Sequence, residues 1–366
     1  MGMRRLVFLA PLAILIISCS SVLRDGARTP AATPVYVATL TPPSAAPTSS
    51  TSPASAAPTV AGATPVRTKL PTQLEVTEYR VGAGQGPHDV APAQDGGVWY
   101  TAQRTGELGW LDPTSGEYQM TKLGSGSAPH GVIVGPDGNA WVTDGGLNAI
   151  VKVDAKTKAV MRYPLPAPNI NLNTAAFDHF GTLWFTGQNG YFGYLRDGQV
   201  KVFSSPRGPG PYGIAARPDG DVWYASLAGS HIADIDEKTS EAIVVEPPTR
   251  GQGARRVWAD SKGDLWVSEW NAGQVGRYSP TTKQWKEWKL PGANPMTYAV
   301  YVDENDIVWL TDFGANALVR FDPRTETFTV LPHAQANAAV RQLLGRPGEV
   351  WGAMSGQDKL LVVRTR

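Results

Sequence analysis

The chain has 366 residues, of which 33 are Lys or Arg and 32 are Asp or Glu, for a formal net charge of +1. No run of like charge interrupts it, which excludes the basic stripe that a nucleic-acid partner requires. Cys19 is the single cysteine, so no internal disulfide can form and the folded part must be held by packing.

The N-terminus reads as a processed leader. Arg4 and Arg5 precede an apolar stretch from Leu6 to Ile17, interrupted by Pro11 and short for a bilayer span. It ends in Ile16-Ile17-Ser18-Cys19, which resembles a bacterial lipoprotein signal with cleavage before a lipidated Cys19. An ordinary secretory leader with an incidental cysteine is the alternative. The expectation over 1–19 is therefore an exported protein, lipid-anchored to the bacterial cell envelope. From 20 to 73 the composition turns to Ala, Pro, Thr and Ser, with no charge between Thr29 and Val66. Such a segment buries too little apolar surface to offset chain entropy, and it is expected to be a disordered tether.

From 74 to 366 one regularity dominates. Trp99, Trp141, Trp184, Trp223, Trp266, Trp309 and Trp351 follow one another at steps of 42, 43, 39, 43, 43 and 42 residues. A period of this size with short strands is a propeller repeat. In the second repeat, Pro129–Val134, the turn Pro136-Asp137-Gly138, Ala140–Asp144, Asn148–Asp154 and Ala159–Pro166 read as four strands with their turns. The expected fold is all-β, a seven-bladed propeller of four-stranded antiparallel blades. The tryptophans are expected to fill the gaps between blades, and Trp110, Trp258, Trp270, Trp285 and Trp288 fall off the period and are freer. The last repeat lacks a fourth strand, while 74–81 precedes the first as an orphan. Pairing of 74–81 into the last blade closes the ring.

Two positions per repeat are expected to face a shared mouth. The residue after the proline that opens the first strand gives His88, His130 and Tyr212, with Asn173, Arg256 and Tyr298 more loosely aligned. The residue three past the tryptophan gives Asp144, Glu269 and Asp312 among others. His88 and His130 stand in matching places of adjacent blades and could bind a metal or divide acid and base roles, with Asp144 near the second. Simple hydrogen bonding of each imidazole to a loop carbonyl is the alternative. His179 reads as a solvent-facing turn residue, and His231 and His333 have weaker claims.

The recurrent Pro-His-Gly and Pro-Tyr-Gly, Leu-Trp-Phe-Thr, Asn-x-Ile and Leu-Pro phrases over 74–366 resemble the streptogramin B lyase (virginiamycin B lyase) family. The resemblance implies a seven-bladed propeller that linearises a cyclic depsipeptide by elimination, with magnesium polarising a carbonyl and a histidine removing the adjacent proton. Carried across, His130 matches the general base, while His88 and Asp144 match metal-site residues. Ala128 stands where the family has a glutamate before the Pro-His-Gly proline, which weakens a magnesium site. Two functions follow: a carbon–oxygen lyase opening a cyclic ester or depsipeptide, or a non-catalytic lipoprotein binding a small molecule, peptide, glycan or protein at the mouth. Tyr212, Arg256, Glu269, Tyr298 and Asp312, with Arg255 and Trp270, are the expected ligand contacts. A monomer is expected.

Overall fold

The computed structural model describes residues 74–365, Pro65 with the strand Val66–Lys69, and two short strands, Tyr36–Val37 and Thr59–Val60. The expected leader, Cys19 and most of 20–73 lie outside the described residues. Seven antiparallel sheets are present and, among the described residues, no helix. Their innermost strands are Pro87–Pro92, Pro129–Val134, Leu172–Phe177, Pro211–Ala216, Ala254–Ala259, Thr297–Val302 and Val340–Arg346, which we number as blades one to seven. Leu74–Arg80 pairs antiparallel along Lys359–Thr365, from Thr365↔Leu74 to Lys359↔Arg80, and supplies the outer strand of blade seven. The ring closes as the sequence predicts. Within the segment read as a tether, Thr59–Val60, Tyr36–Val37 and Val66–Lys69 pair onto the outer strands of blades one, three and seven. An outer strand exposes a row of unpaired N–H and C=O groups, and any extended chain can satisfy them.

The repeated tryptophans sit in the second strand of each blade, and all but Trp141 are buried. In blades three, five and six the indole N–H donates to an aspartate six residues earlier: Asp178 at 2.9 Å, Asp260 at 3.0 Å and Asp303 at 2.8 Å. The other oxygen of each aspartate accepts backbone N–H groups of the hairpin turn. One carboxylate thus fixes both the turn and the ring that fills the gap between blades. The turn into each third strand is left-handed, at Gly106, Asn148, Gly190, Ser230, Gly273, Asn316 and Asp358, with φ from 50 to 98°. Gly, Asn and Asp tolerate that conformation best. Asp358 also accepts the N–H groups of Gly84 and Gly86 at 2.8 and 2.7 Å, tying blade seven to the entry of blade one.

A second bridge runs between blades from the hydroxyl two residues past the tryptophan. Thr101 accepts the Asp89 N–H at 3.0 Å and donates to the His130 carbonyl at 2.9 Å. Thr143 does the same for Gly131 and Asn173, Thr186 for Thr174 and Tyr212, and Ser268 for Arg256 and Tyr298. These hydroxyls hold the backbone of the axis-facing residues. Thr143→Val, which keeps the shape and removes the bridge, should cost about 1–3 kcal/mol by leaving buried backbone groups unpaired. The check is a shift in the urea midpoint at constant slope, and an unshifted midpoint would contradict the bridge.

Candidate functional site at the propeller mouth

Each innermost strand opens with a break in register, for example between Pro87 and Val90, Pro211 and Ile214, and Val340 and Leu343. The bulge frees two residues from the ladder in five blades and one in blades two and five, and re-aims their side chains. The first freed residue around the ring is His88, His130, Asn173, Tyr212, Arg255, Tyr298 and Arg341. The next residue is Asp89, Gly131, Thr174, Gly213, Arg256, Ala299 and Gln342, of which Gly131 and Arg256 stay in the ladder opposite Thr143 and Ser268. Gly213 is small for a reason: a Cβ there would stand 2.6 Å from the Arg256 Cα.

The lower tier is a hydrogen-bond chain that runs from His88 to His130, whose rings then meet. Arg256 of blade five reaches across the axis to Asp89 of blade one, with its Nη2 at 3.1 and 3.4 Å from the two carboxylate oxygens. Its Nη1 donates to Thr174 Oγ1 at 2.6 Å, and Thr174 donates to Asn173 Oδ1 at 2.7 Å. The Asn173 amide then meets His130 Nε2 at 3.3 Å. His88 Nδ1 lies 2.8 Å from Asp89 Oδ1, and the two imidazoles touch with ring centroids 3.9 Å apart. This order fixes the tautomers. An ionised Asp89 requires N–H at His88 Nδ1, which leaves a lone pair on Nε2. Donation from Asn173 requires a lone pair at His130 Nε2, which leaves N–H on its unpartnered Nδ1.

All four charged or titratable members of this tier are buried, His130 least so at 7% exposure. Burial, followed by Arg256, Arg341 and Arg255, holds the His88 imidazole well below its usual pKa. Burial, then His88, does the same to His130, with Asp89 opposing. Burial pushes Asp89 up against the pull of Arg256. Both histidines are therefore neutral near pH 7.

The upper tier is aromatic and cationic. The Tyr212 and Tyr298 hydroxyls are 2.7 Å apart, and Arg255 Nη2 donates to the Tyr212 oxygen at 2.8 Å. The Arg255 guanidinium lies 3.6 Å from the Tyr298 ring centroid and 4.8 Å from that of Trp270. Phe313 stacks on Tyr298 at 4.8 Å, and the Arg341 guanidinium stands 5.9 Å from the Tyr298 ring. Either hydroxyl can donate in the Tyr212–Tyr298 bond, and Arg255 donates to the Tyr212 oxygen in both cases. Burial raises the Tyr212 pKa. Burial works in the same sense on Tyr298, but Arg255, Arg256 and Arg341 outweigh it and lower that phenol. Tyr298 is thus the more acidic phenol of the pair and Tyr212 the one that holds its proton.

A profile of the virginiamycin B lyase family matches residues 74–358. The chain belongs to the virginiamycin B lyase family. Its fold is similar to a streptogramin B lyase structure, at 23% identity over 80% of this chain and 98% of that one, with a TM-score of 0.74. Virginiamycin B lyase from Staphylococcus aureus is similar at 20% identity over 80% and 100%, with a TM-score of 0.75. A catalytically inactive variant of the S. aureus enzyme, solved with quinupristin, matches at 21% identity with the same coverage and TM-score. No individually curated protein matches the chain.

Relative to that family, the mouth brings together His88, His130, Tyr212, Arg256 and Tyr298, and leaves out three of the expected residues. Asp144 accepts from Ser127 Oγ, and its Oδ1 takes the N–H groups of Ala128 and Leu147, both at 2.9 Å. Asp312 does the equivalent work in blade six, accepting from Met296, Gly314 and Ala315. Glu269 is buried within blade five against Gly276 and Trp285. The reason is the two-residue alternation of a strand. The hydroxyl two past the tryptophan reaches the axis-facing backbone, so the residue three past it faces the other way. The register also puts Arg255, not Arg256, in the place of His88, with Arg256 matching Asp89. Asp89, Thr174 and Arg341 are members that the sequence reading passed over. Arg341 could have been found by counting from Trp351 with the bulge allowed for.

The virginiamycin B lyase resemblance implies magnesium, and the donor set decides how well it fits. Among the described residues one group of ligand-type side chains converges, His88, Asp89 and His130, with ligand atoms within 4.8 Å of one another. It offers two imidazoles and one carboxylate, whereas Mg²⁺ demands near-octahedral oxygen ligation. That carboxylate is already held by Arg256 and His88. These residues do not fit magnesium. The positive charge that Asp89 does hold is the Arg256 guanidinium.

Proposed function

We propose that the mouth is the active site of a carbon–oxygen lyase that works without a metal. The observation that carries this reading is the Tyr212–Tyr298 pair beneath Arg255, beside two neutral imidazoles. Elimination next to a carbonyl needs a base for the carbon-bound proton, a donor for the leaving oxygen, and positive charge for the enolate that develops. Tyr298, favoured as a phenolate by the arginines, supplies the first. Tyr212 supplies the second, and Arg255 and Arg341 the third. The buried Asp89–Arg256 pair and the His88–His130 contact form a rigid floor that positions the phenols. The leader and Cys19 would place this chemistry outside the cytoplasmic membrane.

The test is to treat the full chain with a chelator and offer it cyclic esters, quinupristin and β-alkoxy carbonyl compounds. Mass spectrometry separates elimination, which leaves a ring-opened product at unchanged mass, from hydrolysis, which adds water. Elimination that survives chelation and is lost in Tyr298→Phe is expected. No elimination of any of these substrates, or activity that magnesium alone restores, would refute the reading. The near-complete burial of Tyr298 and Asp89, and the mutual satisfaction of their groups, favours a second reading. In it the mouth binds its ligand without turnover.

A further inference from the structure

We propose that the substrate of this site carries a carboxylate on the carbon that loses its proton, as a uronate residue of an acidic glycan does. The proposal rests on the elimination reading above and adds the substrate class. Three guanidinium groups, Arg255, Arg256 and Arg341, serve the mouth, and the lower tier contains one carboxylate to balance them, Asp89. With both imidazoles neutral, the excess charge is positive. Arg255 and Arg341 are partly exposed, and the Nε groups of Arg255 and Arg256 have no partner. A planar guanidinium fork matches a carboxylate through paired N–H donors, where a point-charge cation suits a neutral carbonyl oxygen.

The rim agrees with a sugar. Trp270 and Phe313 are both partly exposed and flank Tyr298 at 5.8 and 4.8 Å between ring centroids. Aromatic faces beside arginines offer stacking for a pyranose ring and pairing for its carboxylate. The reaction closes on itself. Tyr298 phenolate takes the proton from the carbon bearing the carboxylate, breaking C–H and forming O–H. That electron pair forms the carbon–carbon double bond as the glycosidic C–O bond on the next carbon breaks. The leaving oxygen takes the Tyr212 hydroxyl proton and departs as an alcohol. Tyr298 then returns a proton to Tyr212 across the 2.7 Å hydrogen bond, so no water, metal or oxidant is consumed.

The experiment compares the chelated full chain on polygalacturonate and alginate, on the same polymers with their carboxyls reduced, and on quinupristin. Formation of the conjugated unsaturated acid is followed by ultraviolet absorbance. Unsaturated ends from the acidic polymers and none from the reduced ones are expected. Tyr298→Phe should lower kcat by about 10²-fold or more, with the thermal melt monitored to confirm folding. Arg341→Gln, which removes one of the two guanidinium groups assigned to the substrate carboxylate and the enolate, should both raise KM for the acidic polymer and lower kcat. Opening of quinupristin with the acidic polymers untouched would overturn the carboxylate proposal and leave the elimination reading standing. Turnover of none of them would overturn both.

Discussion

Replacing Arg256 with methionine is expected to destabilise the propeller by about 3–5 kcal/mol, the cost of leaving one partner of a buried ion pair alone. Asp89 is 1% exposed, and the variant would strip its carboxylate of the guanidinium that offsets this burial. Arg256 also donates to Thr174, so its loss would release Asn173 and with it the His130 tautomer. The double variant Asp89→Asn, Arg256→Met removes both charges and keeps an acceptor for His88, and it should recover most of the loss. Denaturant unfolding of the two single variants and the double variant gives the coupling directly. An Arg256→Met midpoint within about 1 kcal/mol of the parent would mean that Asp89 is not ionised in the folded protein. It would also remove the cation assigned here to the floor of the mouth.

The scaffold was legible because its rules are periodic. Trp99 and its successors mark the second strands, and the orphan 74–81 had one place to go once the last repeat was seen to lack a strand. The chemistry was less legible because it depends on a local break in that period. The bulge after Pro87 frees His88 and Asp89 from the ladder together, and a one-position-per-blade reading keeps only His88. The same bulge moves the match of Tyr212 from Arg256 to Arg255. Asp144 misled for a related reason. A carboxylate three past a tryptophan looks poised for a ligand, but the backbone N–H groups of its own loop consume it. A pairing of Arg256 with Asp89, 167 residues apart, leaves no trace in local spacing.

Glu269 turns the remaining displaced residue into a measurement. It has no accessible surface, neither oxygen has a hydrogen bond of normal geometry, and Glu287 adds like charge. Burial, then Glu287, pushes its pKa from 4.5 to about 8, with the Gln274 amide offsetting only part. A carboxyl whose folded pKa exceeds its unfolded value keeps the folded state protonated while the unfolded state ionises. Its stability contribution is complete below about pH 4.5 and is lost as pH rises towards about 8, beyond which the curve flattens. At about 1.4 kcal/mol per pH unit, the parent should lose on the order of 4 kcal/mol between about pH 5 and about pH 8 from this residue alone. Glu269→Gln keeps the shape and cannot ionise, so its stability should lack that slope and exceed the parent's at pH 8. Parallel urea titrations across this range provide the check, and superimposable pH profiles would place Glu269 in contact with water or a cation instead of in the wall of blade five.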